Sequence, residues 1–151
     1  ASFYPLQSFS RDQKLDYSQI PVFIDAENPS DIKLMESLAS GISDHVMEID
    51  FEQRKYLHLT AVFACNFVNH LFARAKEIAD SQGIPFTYFI PLIDETVKKI
   101  HTADPKEVQT GPAIRNDKTI LDRHKKLINT PELLSIYNVM NASIRNMYDL
   151  E

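Results

Sequence analysis

Glycine is scarce in this chain. Only three occur in 151 residues, Gly41, Gly83 and Gly111. None belongs to a GxGxxG or GxxxxGKS/T pattern, so the chain has no recognisable phosphate-cradling loop of its own. HExxH and GxSxG are absent too, which removes two common hydrolytic chemistries. A single cysteine, Cys65, can form no internal disulfide. It lies in an apolar run, an arrangement that fits a reducing cytoplasm and argues against zinc. No apolar run approaches the ~20 residues of a membrane span. The formal net charge of −5 argues against a nucleic-acid backbone or an anionic membrane as the main partner. What remains is 44% hydrophobic and 25% charged, the balance of an ordinary globular protein. The length suits one domain with a real core, or a small domain joined to part of another.

The first third reads as α/β. IPVFIDA (20–26) is a β-branched and aromatic run followed by Asn28-Pro29-Ser30-Asp31, which carries helix-start chemistry. Ile32, Leu34, Met35, Leu38 and Ala39 then recur at helical spacing up to a stop at Gly41, and HVMEID (45–50) reads as a second strand. Strand, helix, strand predicts a parallel crossover. FYPLQSF (3–9) is a further extended segment, and Pro5 places it at an edge or outside the sheet. So few short strands do not make a self-sufficient parallel sheet, so residues 1–50 are expected to be the tail of something larger. The opening Ala1, in place of methionine, agrees with a processed or excised chain.

After Asp50 the character changes. Residues 51–81 hold no Gly or Pro, which permits one helix of about 30 residues, roughly 45 Å long. Its middle is apolar on nearly every side, from Leu57 to Phe72, and such a helix is expected to be buried in a bundle core or a subunit interface. Gly83-Ile84-Pro85 ends it and opens the next, which runs to about Ile100 with Pro91 as a kink or restart. Asp94 and Glu95 precede Lys98 and Lys99 by four residues, the favourable order for surface pairs. Asp117 is the expected N-cap of a helix through Ile128, and Thr130-Pro131-Glu132 opens the last helix, to about Tyr148. The fold class expected is mainly α: a helical bundle built on one long buried helix (51–151), preceded by a short β-α-β segment (1–50) that looks like the tail of a Rossmann-like domain.

Two places hold candidate chemistry. On a regular helical wheel Cys65, Asn66 and Asn69 fall about −20°, 80° and 20° from His58, a polar stripe on an apolar helix. Buried amides and imidazoles need partners, so the stripe either bonds to neighbouring helices or faces a ligand cleft. In the second case His58 would serve as proton donor or acceptor and Asn66 would orient an amide. His70, at about 120°, sits elsewhere. The other place is QTGPAIRND (109–117). Gly111-Pro112 there either joins two helices or lets backbone approach a bound group, with Thr110 offering a hydroxyl and Arg115 a cation for a carboxylate or phosphate. His124 reads as a solvated or packing residue. Inward Glu-x-x-His pairs are missing, which sets aside a four-helix metal site.

HLTAVFACNF (58–67), TGPAIRND (110–117), RH (123–124) and PELLSIY (131–137), in this order and at these gaps, resemble the DUF2520 domain. FYPLQSF resembles the segment that precedes that domain, so the resemblance spans essentially the whole chain. The resemblance implies the C-terminal helical part of a Rossmann-like NAD(P)-dependent oxidoreductase, similar to the helical domains of 6-phosphogluconate dehydrogenase and pyrroline-5-carboxylate reductase. On that basis His58, Asn66, Thr110, Gly111, Pro112, Arg115 and Asp117 would line or shape a cleft for an acidic small-molecule substrate, to which the polar stripe adds Asn69 as a binding candidate. NADP or NAD would be bound mainly by a domain outside this chain, no metal would take part, and the chain would form a homodimer and be inactive alone. Asn116 stands where the family prefers glycine between Arg and Asp. The β-hydroxyacid dehydrogenase relatives have a lysine four residues before an asparagine; here Val62 precedes Asn66 and Cys65 precedes Asn69 at that spacing, so His58 is the replacement candidate for acid/base work. The alternative is a non-catalytic helical module that dimerises or binds a small ligand.

Overall fold

The structure, a computed structural model, describes residues 1–9 and 14–150. The chain forms two compact units, Ala1–Asn69 and His70–Glu151. The division falls inside the helical run.

In the first unit three strands, β1 (Ser2–Pro5), β2 (Val22–Asp25) and β3 (Val46–Glu48), form a sheet in the order β1-β2-β3. β1 runs antiparallel to β2, with Tyr4 opposite Phe23, and β2 runs parallel to β3, with Val22 opposite Val46. The expected crossover is made by α1 (Pro29–Ser40), and Pro5 sits in an edge strand, where its missing N–H costs least. Burial alternates along β2 as the period of a strand requires. Val22 and Ile24 are 2% exposed and pack with Ala39, Ile32, Met35 and Val46. Each such fully buried aliphatic side chain contributes about 1.5–3 kcal/mol. The other apolar positions of α1, Leu34 and Leu38, face out, as does Met47 of β3. Gly41 ends α1 at φ −75°, so the stop does not use glycine's left-handed freedom. Ser43 secures the turn instead: its buried Oγ donates to the Ile20 carbonyl at 2.6 Å and accepts from the His45 amide at 3.0 Å.

The helical run begins where expected. Asp50 and Gln53 form a reciprocal capping box, with the Gln53 amide donating to Asp50 Oδ1 at 2.7 Å and the Asp50 amide donating to Gln53 Oε1 at 2.9 Å. The run has three consecutive parts, α2 (Phe51–Ala61), a π-helical turn (Val62–Phe67) and α3 (Val68–Ser81). The π turn is a departure from the single regular helix expected.

The helix's apolar middle does not enter a bundle core of this chain, the first of the two settings expected for it. Tyr56, Leu59, Phe63 and Phe67 are each about half exposed or more. Phe63 and Phe67 lie edge to face at 4.9 Å between ring centroids. Apolar residues all round a helix call for cover, and on this side no described part of the chain supplies it.

In the second unit a short 3-10 turn (Phe86–Phe89) leads into α4 (Ile90–Lys99), so Pro91 marks a restart within a first turn. Gly83, at φ +67°, is the glycine that ends α3 in the left-handed form. α5 (Lys118–Leu127) and α6 (Pro131–Met147) complete the unit. Of the surface pairs expected on α4, Glu95 and Lys99 meet at 3.8 Å. Among the described residues the hydrophobic side chains buried to nine-tenths here are only Ala79, Ala113 and Leu121.

The chain exposes 11609 Å² of accessible surface. A compact monomer of 17.3 kDa exposes roughly 7,800 Å², and two separate compact bodies of half that mass roughly 9,400 Å² in all. The chain's surface is larger than either reference. Among the described residues, no helix is long and apolar enough to cross a membrane.

Candidate functional site

The turn at 110–117 is built by its own residues. Gly111 adopts φ +111°, and a Cβ placed there would meet nothing within 4 Å. The requirement for glycine is thus one of backbone conformation, not of space. The Pro112 carbonyl accepts from the Asp117 amide at 2.9 Å and the Ala113 carbonyl from the Asn116 amide at 3.1 Å, while Ala113 itself is buried. Asn116 takes φ +51°, so the position where the resemblance prefers glycine keeps a left-handed backbone that asparagine tolerates. Its Oδ1 is buried and has no partner among the described residues.

Asp117 caps α5 as the spacing predicts, Oδ1 accepting from the Ile120 amide at 3.1 Å. This has an electrostatic consequence. The first-turn amide that would favour an incoming anion is already engaged by a carboxylate, so an anion at this turn would depend on Arg115 more than on the helix end. Arg115 is exposed, and its guanidinium forms no ion pair among the described residues. Thr110 is exposed as well, its carbonyl accepting from Gln109 Nε2 at 2.8 Å. Thr110, Gly111, Pro112, Arg115 and Asp117 are therefore brought together in one turn. The loop leading into it is clasped from α6's end, where the Tyr148 hydroxyl donates to the Lys106 carbonyl and Lys106 Nζ lies 5.7 Å from the Tyr148 ring centroid.

His58, Asn66 and Asn69 lie on the helical run of the first unit, and all three are exposed. Among the described residues their side chains make no hydrogen bond to a neighbouring helix, the alternative that buried polar groups would have required. The π turn alters the wheel on which they were grouped. It takes in an extra residue, so positions beyond it are displaced by about 100° from regular helical phase. Asn69 therefore leaves the direction of His58, and Asn66 sits within the widened turn. Such turns recur at functional sites because they re-aim side chains.

One contact was not legible beforehand. His124 Nδ1 lies 3.0 Å from the Tyr137 hydroxyl, with the two rings edge to face and both residues half-buried. The RH and PELLSIY stretches contain the two residues, but periodicity says nothing of a bond between side chains on different helices.

A model of the domain of unknown function DUF2520 matches residues 20–144. Among solved structures, that of a Bacteroides fragilis protein provisionally assigned as an NADP oxidoreductase is similar with a TM-score of 0.89 at 43% sequence identity. That similarity covers 95% of this chain and 56% of the other. No functionally curated protein matches significantly.

Proposed function

This chain belongs to the DUF2520 family, and from that premise we propose that it is the substrate-binding and dimerising helical part of an NADP-dependent oxidoreductase. The observation that carries the reading is the 43% identity, over 95% of the chain, to a protein provisionally assigned as an NADP oxidoreductase, of which this chain spans only 56%. Without a glycine-rich phosphate loop, the chain addresses the substrate and leaves the dinucleotide to the remainder of such an enzyme.

When bound, the nicotinamide supplies or removes a hydride. The chain's own contributions are placement and a proton. Arg115, without an ion pair among the described residues, holds a carboxylate or phosphate of an acidic substrate. Gly111 and Asp117 fix the turn that presents it, and Pro112 and Thr110 shape its rim. His58 gives or takes the proton at the reacting oxygen or nitrogen, and Asn66 and Asn69 offer amides to substrate or cofactor. The exposed stripe Tyr56, Leu59, Phe63 and Phe67 packs against a second copy. The surface excess, about 2,200 Å² per chain even against two separate bodies, corresponds to roughly 4,400 Å² for a pair, within the range of obligate dimer interfaces, which count both partners. A dimer of this kind works in the cytoplasm, where the exposed Cys65 stays reduced.

Steady-state kinetics on the complete gene product carrying this chain test the reading. Arg115→Ala should raise KM for an acidic substrate at least about tenfold with a small change in kcat, and His58→Ala should lower kcat with little change in stability. If both variants turn over NADPH normally, or if His58→Ala merely unfolds the protein, the chain is a non-catalytic module and the proposal fails.

A further inference from the structure

A cavity of about 660 Å³ lies within the second unit, walled by α3, the C-terminal end of α5 and the first turns of α6. Its size is that of a small-molecule site, for which about 300–1,000 Å³ is usual. It shares no residue with the turn at 110–117 or with His58, Asn66 and Asn69, and the inference drawn from it does not depend on the oxidoreductase reading.

The walls divide by chemistry. Ile78, Leu127, Ile128 and Leu133 provide an apolar lining. The polar side chains among them include Arg74, His124 and Tyr137. Arg74 comes from α3 and its side chain is only 17% exposed. One terminal nitrogen, Nη1, meets Glu77 Oε2 at 2.9 Å, while Nε is shielded and has no partner among the described residues. A guanidinium withdrawn this far from water, with one of its nitrogens answered, retains capacity for a second acceptor. His124 and Tyr137 hold each other through the 3.0 Å contact, which fixes both rings and leaves the other imidazole nitrogen without a partner among the described residues. The charged residues at the cavity are Arg74, Lys126 and Glu77, an excess of one positive charge.

We propose that this cavity binds a monoanionic small molecule with an apolar body, a carboxylate whose head meets Arg74 beside the His124–Tyr137 pair and whose tail lies along Ile78, Leu127, Ile128 and Leu133. Two cations against one carboxylate favour one negative charge on the ligand. A dianion would leave charge unmatched next to Glu77, and a cation would face Arg74 and Lys126. A flat carboxylate also matches a guanidinium edge better than it matches an ammonium.

Amide-resolved NMR titration of the whole 151-residue chain with octanoate, and with octan-1-ol as its uncharged counterpart, tests the assignment. Octanoate should produce saturable shifts confined to residues 74–82 and 124–137, and octan-1-ol should bind at least about tenfold more weakly, the measure of a charge-assisted contact. Arg74→Met should weaken octanoate by a similar factor. Glu77→Gln, which frees the guanidinium from its own carboxylate, should tighten octanoate severalfold, a sign that a merely structural role for the pair does not produce. If Arg74→Met fails to fold, Tyr137→Phe takes its place with a weaker loss expected. Equal binding of the alcohol and the carboxylate, shifts spread instead along residues 56–68, or the absence of saturable shifts would overturn the proposal. So would signals from the cavity residues that depend on protein concentration and not on octanoate, since a second copy of the chain would then be the occupant.

Discussion

The turn at 110–117 and the helical face at 56–69 carry the two sets of candidate residues under opposite conditions. In the turn, a positive-φ glycine, a left-handed asparagine, a buried alanine and a capping carboxylate set the geometry within a few residues, and Arg115 is left without an ion pair among the described residues. On the helical face, large apolar and polar side chains alike stand exposed, and a π turn has re-aimed part of the row. The first region is shaped by neighbouring residues of this chain; the second leaves large apolar side chains exposed among the described residues. On the proposed reading, local backbone constraint positions the turn residues and association covers the helical face, and the two call for different perturbations.

The largest loss of stability should come from the buried side chain of α5. Leu121→Ala removes a buried side chain one helical turn after Asp117 and should cost about 3 kcal/mol in denaturant unfolding. Phe63→Asp, on the open face, should leave the fold within about 0.5 kcal/mol yet abolish self-association in light scattering. A loss of stability comparable with that of Leu121→Ala would mean that Phe63 is a core residue after all, and the contrast between the regions would collapse. Gly111→Ala forces a Cβ into φ +111° and should cost about 1–3 kcal/mol through strain alone. Asn116→Gly should act in the opposite sense and stabilise by about 1 kcal/mol, because it relieves the left-handed backbone and removes an acceptor buried without a partner. The smallest effect on stability belongs to Arg115→Ala, within about 0.5 kcal/mol, although its effect on KM is expected to be large.

Much of the fold was legible because its signals are local. Proline at the edge in β1, the break at Gly83, the restart at Pro91 and the Asp117 cap each follow from what one or two residues allow their own backbone to do. The crossover from β2 to β3 follows from a period of two giving way to one near 3.6 and back again. The π turn was not legible, since VFACNF reads as ordinary apolar helix and nothing in it marks an extra residue. Nor was the exposure of Phe63 and Phe67, because periodicity reports that a helix is apolar all round and not what covers it. The geometry of the turn was legible through a glycine and a cap. The His124–Tyr137 contact was missed because it joins two helices, and neither residue signals the other.

The central claim, that this chain is the substrate-binding part of an NADP-dependent oxidoreductase, is tested most directly by following NADPH oxidation at matched concentrations of the 151-residue chain and of the complete gene product, across a panel of small 2-oxo acids and imines. The account predicts turnover by the complete product with at least one acidic substrate and none by the chain alone. Turnover by the chain alone would contradict the division of labour, and silence from the complete product across the panel, with NADPH unbound, would contradict the assignment itself.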